Sequence, residues 1–264
     1  MRHTFVPPYD GSGVDHVGTY KRSLPVNLER MYENALDWEH LPFQHASSFS
    51  AIKCLDAGAW GWRAEVVSAK GDTSLLELAL DRSARRWITR NLEGPSKGAE
   101  IWTHVFVTDS HALDLVIDFF VPGVPPSARE KVGMAYATAY ETLYDEDVAM
   151  MTERQRRLDE RINTSTRSGS LRLDTPAHLP CQLEFDGRRF VLNKLDEDWV
   201  IYPAACPHQL GPLTGELVDG QVECPWHGYR FDVRSGACTT GASCAFGPRP
   251  NVQEGADHLL LSWS

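Results

Sequence analysis

Two stretches of this chain carry the residue types that hold metals. Toward the C-terminal end it reads Cys206-Pro-His208, then fifteen residues, then Cys224-Pro-Trp-His227-Gly228. Each stretch offers one thiolate and one imidazole within strand-like sequence. Two Cys and two His would suit a tetrahedral zinc site. Zinc fingers, however, usually place the cysteine pair in one loop and the histidine pair on a helix, whereas each loop here carries one of each. The second stretch is Asn34-Ala-Leu-Asp37-Trp-Glu-His40-Leu-Pro-Phe-Gln-His45. Asn34, Asp37 and His40 are spaced to share one face of a helix, about a turn apart. His45 follows the proline and can fold back toward the same point. Two histidines and a carboxylate with open positions make the facial triad of non-heme Fe(II) sites. A His-x4-His pair by itself is commonplace on surfaces and in cores.

Positioning these side chains requires a particular set of elements. Residues 1–28 read as an extended arm with turns at Pro7–Gly11. Leu28 to Leu41 reads as a helix that Pro42 ends. From Phe49 to Val121 the pattern is strand-like, with clear segments at 61–67, 74–80, 100–107 and 113–120. Residues 127–161 read as one long helix with an inward stripe of Val132, Tyr136, Ala139, Leu143 and Met150. The charged run Glu153–Arg161 reads as its solvated end. A Ser/Thr/Gly stretch then marks a boundary, giving domains at 1–162 and 175–264 with a linker at 163–174. The second domain is strand-like again, with turns at Asp186-Gly187, Asp219-Gly220 and Ser235-Gly236.

The Cys-x-His and Cys-x2-His loops, with Gly211-Pro-Leu213 and the run Trp226–Asp232, resemble Rieske [2Fe–2S] domains. In these, two thiolates hold one iron and two histidines the other. The resemblance makes Cys206, His208, Cys224 and His227 the cluster ligands. Respiratory Rieske proteins carry a further cysteine in each loop; Gly211 and Trp226 stand there, so the pattern is similar to the ferredoxin and oxygenase branch. Cys54, Cys181, Cys238 and Cys244 have no ligand spacing and read as packing residues.

The N-x2-D-x2-H-x4-H run from Asn34 to His45 resembles the mononuclear-iron motif of Rieske non-heme iron oxygenases. That resemblance implies Fe(II) held by His40, His45 and an aspartate on the long helix. Asp147 fits best, because it follows Leu143 by four and precedes Met150 by three and so lies on the inward stripe. A buried carboxylate needs a partner, which the metal would be. Glu146, one step round the helix, is the alternative. The family also implies that Asp37 bridges an iron-ligand histidine and a cluster histidine, since a metal-bound imidazole usually donates its other N–H to a carboxylate. Asn34 would stand close behind the iron. His104 and His111 read as structural or pocket-lining, and His3, His16, His178 and His258 as surface residues.

The implied fold class is α+β: a helix-grip, START-like antiparallel sheet with a long helix, then a C-terminal all-β Rieske domain. The domain order is reversed relative to the usual oxygenase α-subunit, as in a permuted chain. The sheet, with Trp60, Trp62, Trp87, Trp102, Phe106 and Phe119, would enclose an apolar pocket beside the iron. The resemblance implies reductive use of O2 to hydroxylate, dihydroxylate or demethylate an apolar, ring-containing substrate. Electrons would come from a ferredoxin or an NAD(P)H-dependent reductase, since no dinucleotide-binding G-x-G-x-x-G unit occurs here. A homotrimer passing electrons between subunits is the family arrangement, with transfer inside one chain as the alternative. The rival readings are a Rieske electron carrier fused to a lipid-binding-like domain without catalytic iron, and a zinc-stabilised scaffold.

Composition agrees with a folded protein and excludes several partners. The chain has 264 residues, 42% hydrophobic and 23% charged, with a net charge of −10. So acidic a chain has no electrostatic footprint for nucleic acid, and anionic membranes repel it. No apolar run is long enough to span a bilayer, and the N-terminus lacks a signal-peptide core, so a cytoplasmic location is expected.

Overall fold

The computed structural model describes residues 14–160, 167–214 and 216–263. The Pro7–Gly11 turns of the expected arm, His3, and residues 163–166 of the expected linker lie outside the described residues. The chain divides into two compact units, residues 1–152 and 153–264. Among the described residues, no helix is long and apolar enough to cross a membrane.

The first unit is built on a seven-stranded antiparallel sheet. Its strands are β1 (Val14–Leu24), β2 (Phe49–Gly58), β3 (Gly61–Ser68), β4 (Thr73–Asp81), β5 (Arg86–Glu93), β6 (Glu100–Asp109) and β7 (Ala112–Pro122). The spatial order is β1-β7-β6-β5-β4-β3-β2, so only β1 pairs out of sequence, closing on β7. The strongest alternation lies in β7, where Leu113, Leu115, Ile117 and Phe119 are buried and the intervening residues are not. One face therefore carries the core, as a half-solvated antiparallel sheet requires.

β1 corrects the expectation of an extended arm over residues 1–28. Thr19, Lys21 and Ser23 alternate with inward Tyr20 and Leu24, and a bulge between His16 and Gly18 breaks the period. Bulge and polar residues together hide the strand from a pattern search.

The long helix is α3 (Arg129–Asp159), entered through a short 3-10 turn at Pro126–Ala128. It lies against the core face, where Phe119 stacks on Tyr136 at 5.3 Å and meets Tyr140 at 5.4 Å. Close approach to β1 is set by two glycines. A Cβ on Gly133 would stand 2.2 Å from the Val17 carbonyl oxygen, and one on Gly18 would stand 3.1 Å from Gly133 Cα. The inward face of α3 runs through Gly133, Tyr136, Tyr140, Tyr144, Asp147 and Met151, while Ala139 of the expected stripe is exposed. Tyrosines with apolar bodies, not the alanine, fill the space beneath the sheet.

The expected helix over Leu28–Leu41 is two helices. Asn27 caps α1 (Leu28–Leu36), its side chain accepting from Arg30 N at 2.9 Å. The helix stops at Asp37, whose backbone (φ −86°, ψ 85°) is no longer helical. One further turn, α2 (Leu41–Gln44), follows with Pro42 in its first turn. Proline there opens a helix, because the first N–H groups need no intrahelical partner. Trp62 on β3 fixes the end of α1 by donating its indole N–H to the Ala35 carbonyl at 2.9 Å.

The second unit comprises the sheets β11-β10-β9, β14-β15-β8 and β12-β13. Their strands are β8 (Ser170–Asp174), β9 (Cys181–Phe185), β10 (Arg188–Leu195), β11 (Asp198–Pro203), β12 (Gln221–Glu223), β13 (Arg230–Asp232), β14 (Asn251–Glu254) and β15 (His258–Ser262). β8 lies within the expected linker, yet Leu171 and Leu173 pair with Leu261 and Leu259 and pack on the core of Phe190, Leu192 and Ile201. The expected turns are present. Asp186-Gly187 and Asp219-Gly220 each have two successive positive φ values, as a tight hairpin demands. The charged end of α3 is not simply solvated. Glu153 pairs with Arg156 and Arg157, and Arg157 donates to the Ala204 carbonyl at 3.0 Å.

Candidate metal centres

In the first unit, α2 is a single turn whose two caps are His40 and His45. Five residues apart around one turn, the rings converge, with their Nε2 atoms 3.2 Å apart. Asp147 comes in from α3, its Oδ1 3.0 Å from His45 Nε2 and 3.4 Å from His40 Nε2. The three donor atoms lie within 4.8 Å of one another and all three residues are buried. Burial alone would raise the Asp147 carboxyl, but hydrogen bonds and charge from His40 and His45 outweigh it and hold it well below the usual carboxylate range. Burial likewise opposes protonation of His45, and its contacts with Asp147 and Glu146 overcome that and raise it.

Neighbouring residues hold the triad. Asn34 Nδ2 donates to Asp147 Oδ1 at 2.9 Å, tying α1 to α3. Glu146 Oε2 lies 2.7 Å from His45 Nδ1, on the far side of the ring from Asp147. Of the two acids weighed from sequence, Asp147 thus faces both imidazoles and Glu146 backs one of them. Asp37 Oδ2 is 3.8 Å from His40 Nδ1, a charge contact longer than a hydrogen bond. Asn34, Asp37 and His40 do not share a continuous helix face. They converge because the chain breaks between α1 and α2.

The triad forms one edge of a cavity of about 120 Å³. Trp62, Leu76, Leu78, Trp87, Tyr140 and Leu143 supply its apolar wall. Of the six aromatic residues expected there, Trp62 and Trp87 line it. Phe119 is sealed beneath α3, and Trp60 sits at the β2–β3 turn. Trp102 and Phe106 fall on the opposite face of β6. Trp102 donates to Glu100 there at 3.0 Å, and Phe106 is 55% exposed. His104 lies on that face too, 4.0 Å from Asp118, which also binds His16 at 3.1 Å. Tyr144 is a neighbour that sequence reasoning passed over. Its hydroxyl bonds Thr103, and burial keeps the phenol neutral by pushing its pKa far up. The signal was Thr103 itself, a polar residue at an inward position of β6 between Ile101 and Val105.

The second unit brings Cys206, His208, Cys224 and His227 together on two loops of the same construction. Cys206 N–H donates to Gly211 O at 2.8 Å, and Leu210 N–H returns to Cys206 O at 2.9 Å. Cys224 N–H donates to Tyr229 O at 2.8 Å, and Gly228 N–H returns to Cys224 O at 2.9 Å. The fifth residue of each loop is left-handed: Leu210 at φ 65° and Gly228 at φ 64°. In each, the backbone N–H groups two and three residues beyond the cysteine point at its sulfur.

The two sulfurs are buried and in contact. That contact, with burial, raises the Cys206 thiol, while the same contact outweighs burial and lowers Cys224. The His208 and His227 rings meet edge to face with centroids 4.7 Å apart. A Cβ on Gly211 would lie 2.7 Å from Cys224 Sγ and 2.9 Å from the Trp226 ring. Only glycine leaves the sulfur that space. Two thiolates, two imidazoles and N–H donors aimed at sulfur suit a [2Fe–2S] group in which the thiolates would hold one iron and the imidazoles the other.

Comparison with known proteins agrees for this unit. The family model described as the Rieske [2Fe–2S] domain matches residues 169–246. Pheophorbide a oxygenase, chloroplastic, of Arabidopsis thaliana is 34% identical over 74 residues, covering 26% of this chain and 14% of that protein. Protein TIC 55, chloroplastic, from the same plant is 38% identical over 61 residues, or 22% of this chain and 11% of that protein. The chain therefore spans only a small fraction of these relatives' lengths. A START superfamily protein from Mycobacterium smegmatis superposes on 52% of this chain and 98% of its own, with a TM-score of 0.44 and 12% identity. Residues 169–246, with both Cys/His loops, are a Rieske [2Fe–2S] domain, preceded in this chain by a helix-grip domain.

Proposed function

We propose that the chain is a Rieske-type oxygenase component acting on a small apolar, ring-containing substrate. The observation that carries this reading is the buried His40–His45–Asp147 triad at the edge of an apolar cavity, in a chain that also has a Rieske domain. Two imidazoles and a carboxylate fit Fe(II) and leave coordination positions open. When bound, the iron would supply O2 activation and the cluster one-electron transfer.

The protein's own part is orientation and exclusion of water. Glu146 holds the N–H of His45 Nδ1, which leaves Nε2 free to act as a ligand. Asn34 holds Asp147 so that its carboxylate faces both rings. Trp62, Trp87 and the leucines of β4 shield the substrate, and Tyr140 stays un-ionised because burial raises its phenol. The cavity beside the triad is small, about 120 Å³, which favours a substrate of no more than one ring. Asp37, beside His40, is the residue we assign to electron transfer between the centres. An external ferredoxin or reductase supplies the electrons, and a homotrimer is the assembly we expect.

The test is a single turnover of chemically reduced protein with single-ring aromatic substrates under isotopically labelled O2. Labelled hydroxylated product from the native chain, and none from Asp147→Asn with its cluster intact, supports the assignment. Cluster reoxidation without product in every case supports an electron carrier instead.

A further inference from the structure

The hairpin after β13 carries two thiols outside the cluster's donor set. Ala237 and Ala245 form an antiparallel bridge, so Cys238 and Cys244 oppose each other one position nearer the tip. Opposed residues of an antiparallel pair have Cα atoms about 4.5–5.5 Å apart. That falls inside the roughly 4.4–6.8 Å span of protein disulfides. The two sulfurs are in hydrogen-bonding contact. Cys238 Sγ also lies 3.3 Å from Thr240 Oγ1. Both thiols are half-buried, and Thr239, Thr240, Gly241 and Ser243 between them are exposed, so a small oxidant reaches the pair without unfolding the domain. Cys54 and Cys181 are equally half-buried, in β2 and β9.

We propose that Cys238 and Cys244 are a reversible dithiol–disulfide site that clamps the loop 239–243. The Cys238 thiolate attacks one sulfur of a small disulfide such as oxidised glutathione, whose S–S bond breaks to release one glutathione thiolate. Cys244 gives its proton to solvent and attacks the Cys238 sulfur, releasing the second glutathione. Two cysteine sulfurs are oxidised and one glutathione disulfide is reduced to two thiols, and excess glutathione reverses both exchanges. The order of attack follows from the surroundings. Around Cys238, the Thr240 hydroxyl and the N–H groups of Thr240 and Ala242 outweigh burial and lower its thiol. Burial, with the charges of Cys238 and Cys206, pushes Cys244 up to about 11. The more acidic thiol is the thiolate that attacks first.

The test treats the full chain, its cluster retained by visible absorption, with oxidised glutathione, followed by alkylation and tryptic digestion. Both cysteines fall in one tryptic peptide beginning at Ser235, because no Lys or Arg lies between Arg234 and Arg249. We expect that peptide unalkylated and lighter by two hydrogens, forming at least about ten-fold faster than any adduct on Cys54 or Cys181. Cys244→Ser should accumulate a single glutathione adduct on Cys238. A doubly alkylated native peptide, or modification of Cys238 in C244S at the pace of Cys54, overturns the proposal.

Discussion

Glu146 Oε2 lies 2.7 Å from His45 Nδ1, while Asp147, the next residue, reaches Nε2 of the same imidazole at 3.0 Å. Two consecutive acids on α3 thus bracket one ring, one as hydrogen-bond acceptor and one as partner in the triad. Glu146→Ala should lower the affinity of the triad for a divalent ion by about 10–100-fold, the usual cost of losing the partner behind a ligand histidine. Glu146→Gln keeps an acceptor oxygen and should lose less. Titrating the iron-depleted mononuclear site with Co(II) and following its visible spectrum measures both. Equal affinity in Glu146→Ala and the native chain would remove Glu146 from the account.

Asp37 Oδ2 stands 3.8 Å from His40 Nδ1 at the break between α1 and α2. Asp37→Ala should leave both centres loaded while slowing product formation at least about ten-fold, because the link behind His40 is gone. Metal analysis and rapid mixing of reduced protein with O2 separate loading from transfer. Near-native turnover in this variant contradicts the bridging role.

Gly211→Ala tests the cluster cradle. Its Cβ would sit 2.7 Å from Cys224 Sγ, well inside van der Waals contact, with the Trp226 ring blocking retreat. The variant should purify with its visible cluster absorption largely lost, whereas Ser243→Ala in the exposed hairpin should keep it. Undiminished cluster content in Gly211→Ala would show that the loops yield without cost.

Glu77 sits on β4, only 10% exposed at its side chain, between Arg63 and Arg90, with Arg90 Nη1 at 3.0 Å. Burial would raise its carboxyl, yet hydrogen bonds from both guanidiniums outweigh that and lower it below its ordinary 4.5. A depressed carboxylate stabilises the fold above the ordinary value and loses that contribution as pH falls through its folded value. Glu77→Gln should therefore cost about 1–3 kcal/mol near neutrality. The gap should narrow once the pH is below 4.5. Urea denaturation at several pH values measures it, and a pH-independent difference would mean that packing, not charge, accounts for the loss.

How much of this was legible depended on whether the determining contacts are local. The four Cys and His residues of the second unit announce themselves because each pair sits within one short loop. The resemblance pointed to an acid on the long helix, and helical period set Asp147 on its inward face, while Leu171 and Leu173 carried a strand signal that the polar composition around them obscured. The break at Asp37 was not readable. It depends on Trp62 holding the Ala35 carbonyl from a distant strand, so Pro42 opens a helix where sequence suggested an end. The matched left-handed residues Leu210 and Gly228 were hidden for a similar reason. Nothing local marks Leu210 for that conformation, and the bond from its N–H to Cys206 O makes it necessary.

Whether one chain carries two different iron centres is decided by counting its iron. Protein purified without oxygen and loaded with Fe(II) should hold three irons and two acid-labile sulfides per chain, two irons belonging to the cluster. His45→Ala and Asp147→Ala should each hold two irons, with the cluster's absorption unchanged. Two irons in the native chain and no difference in either variant would contradict the account.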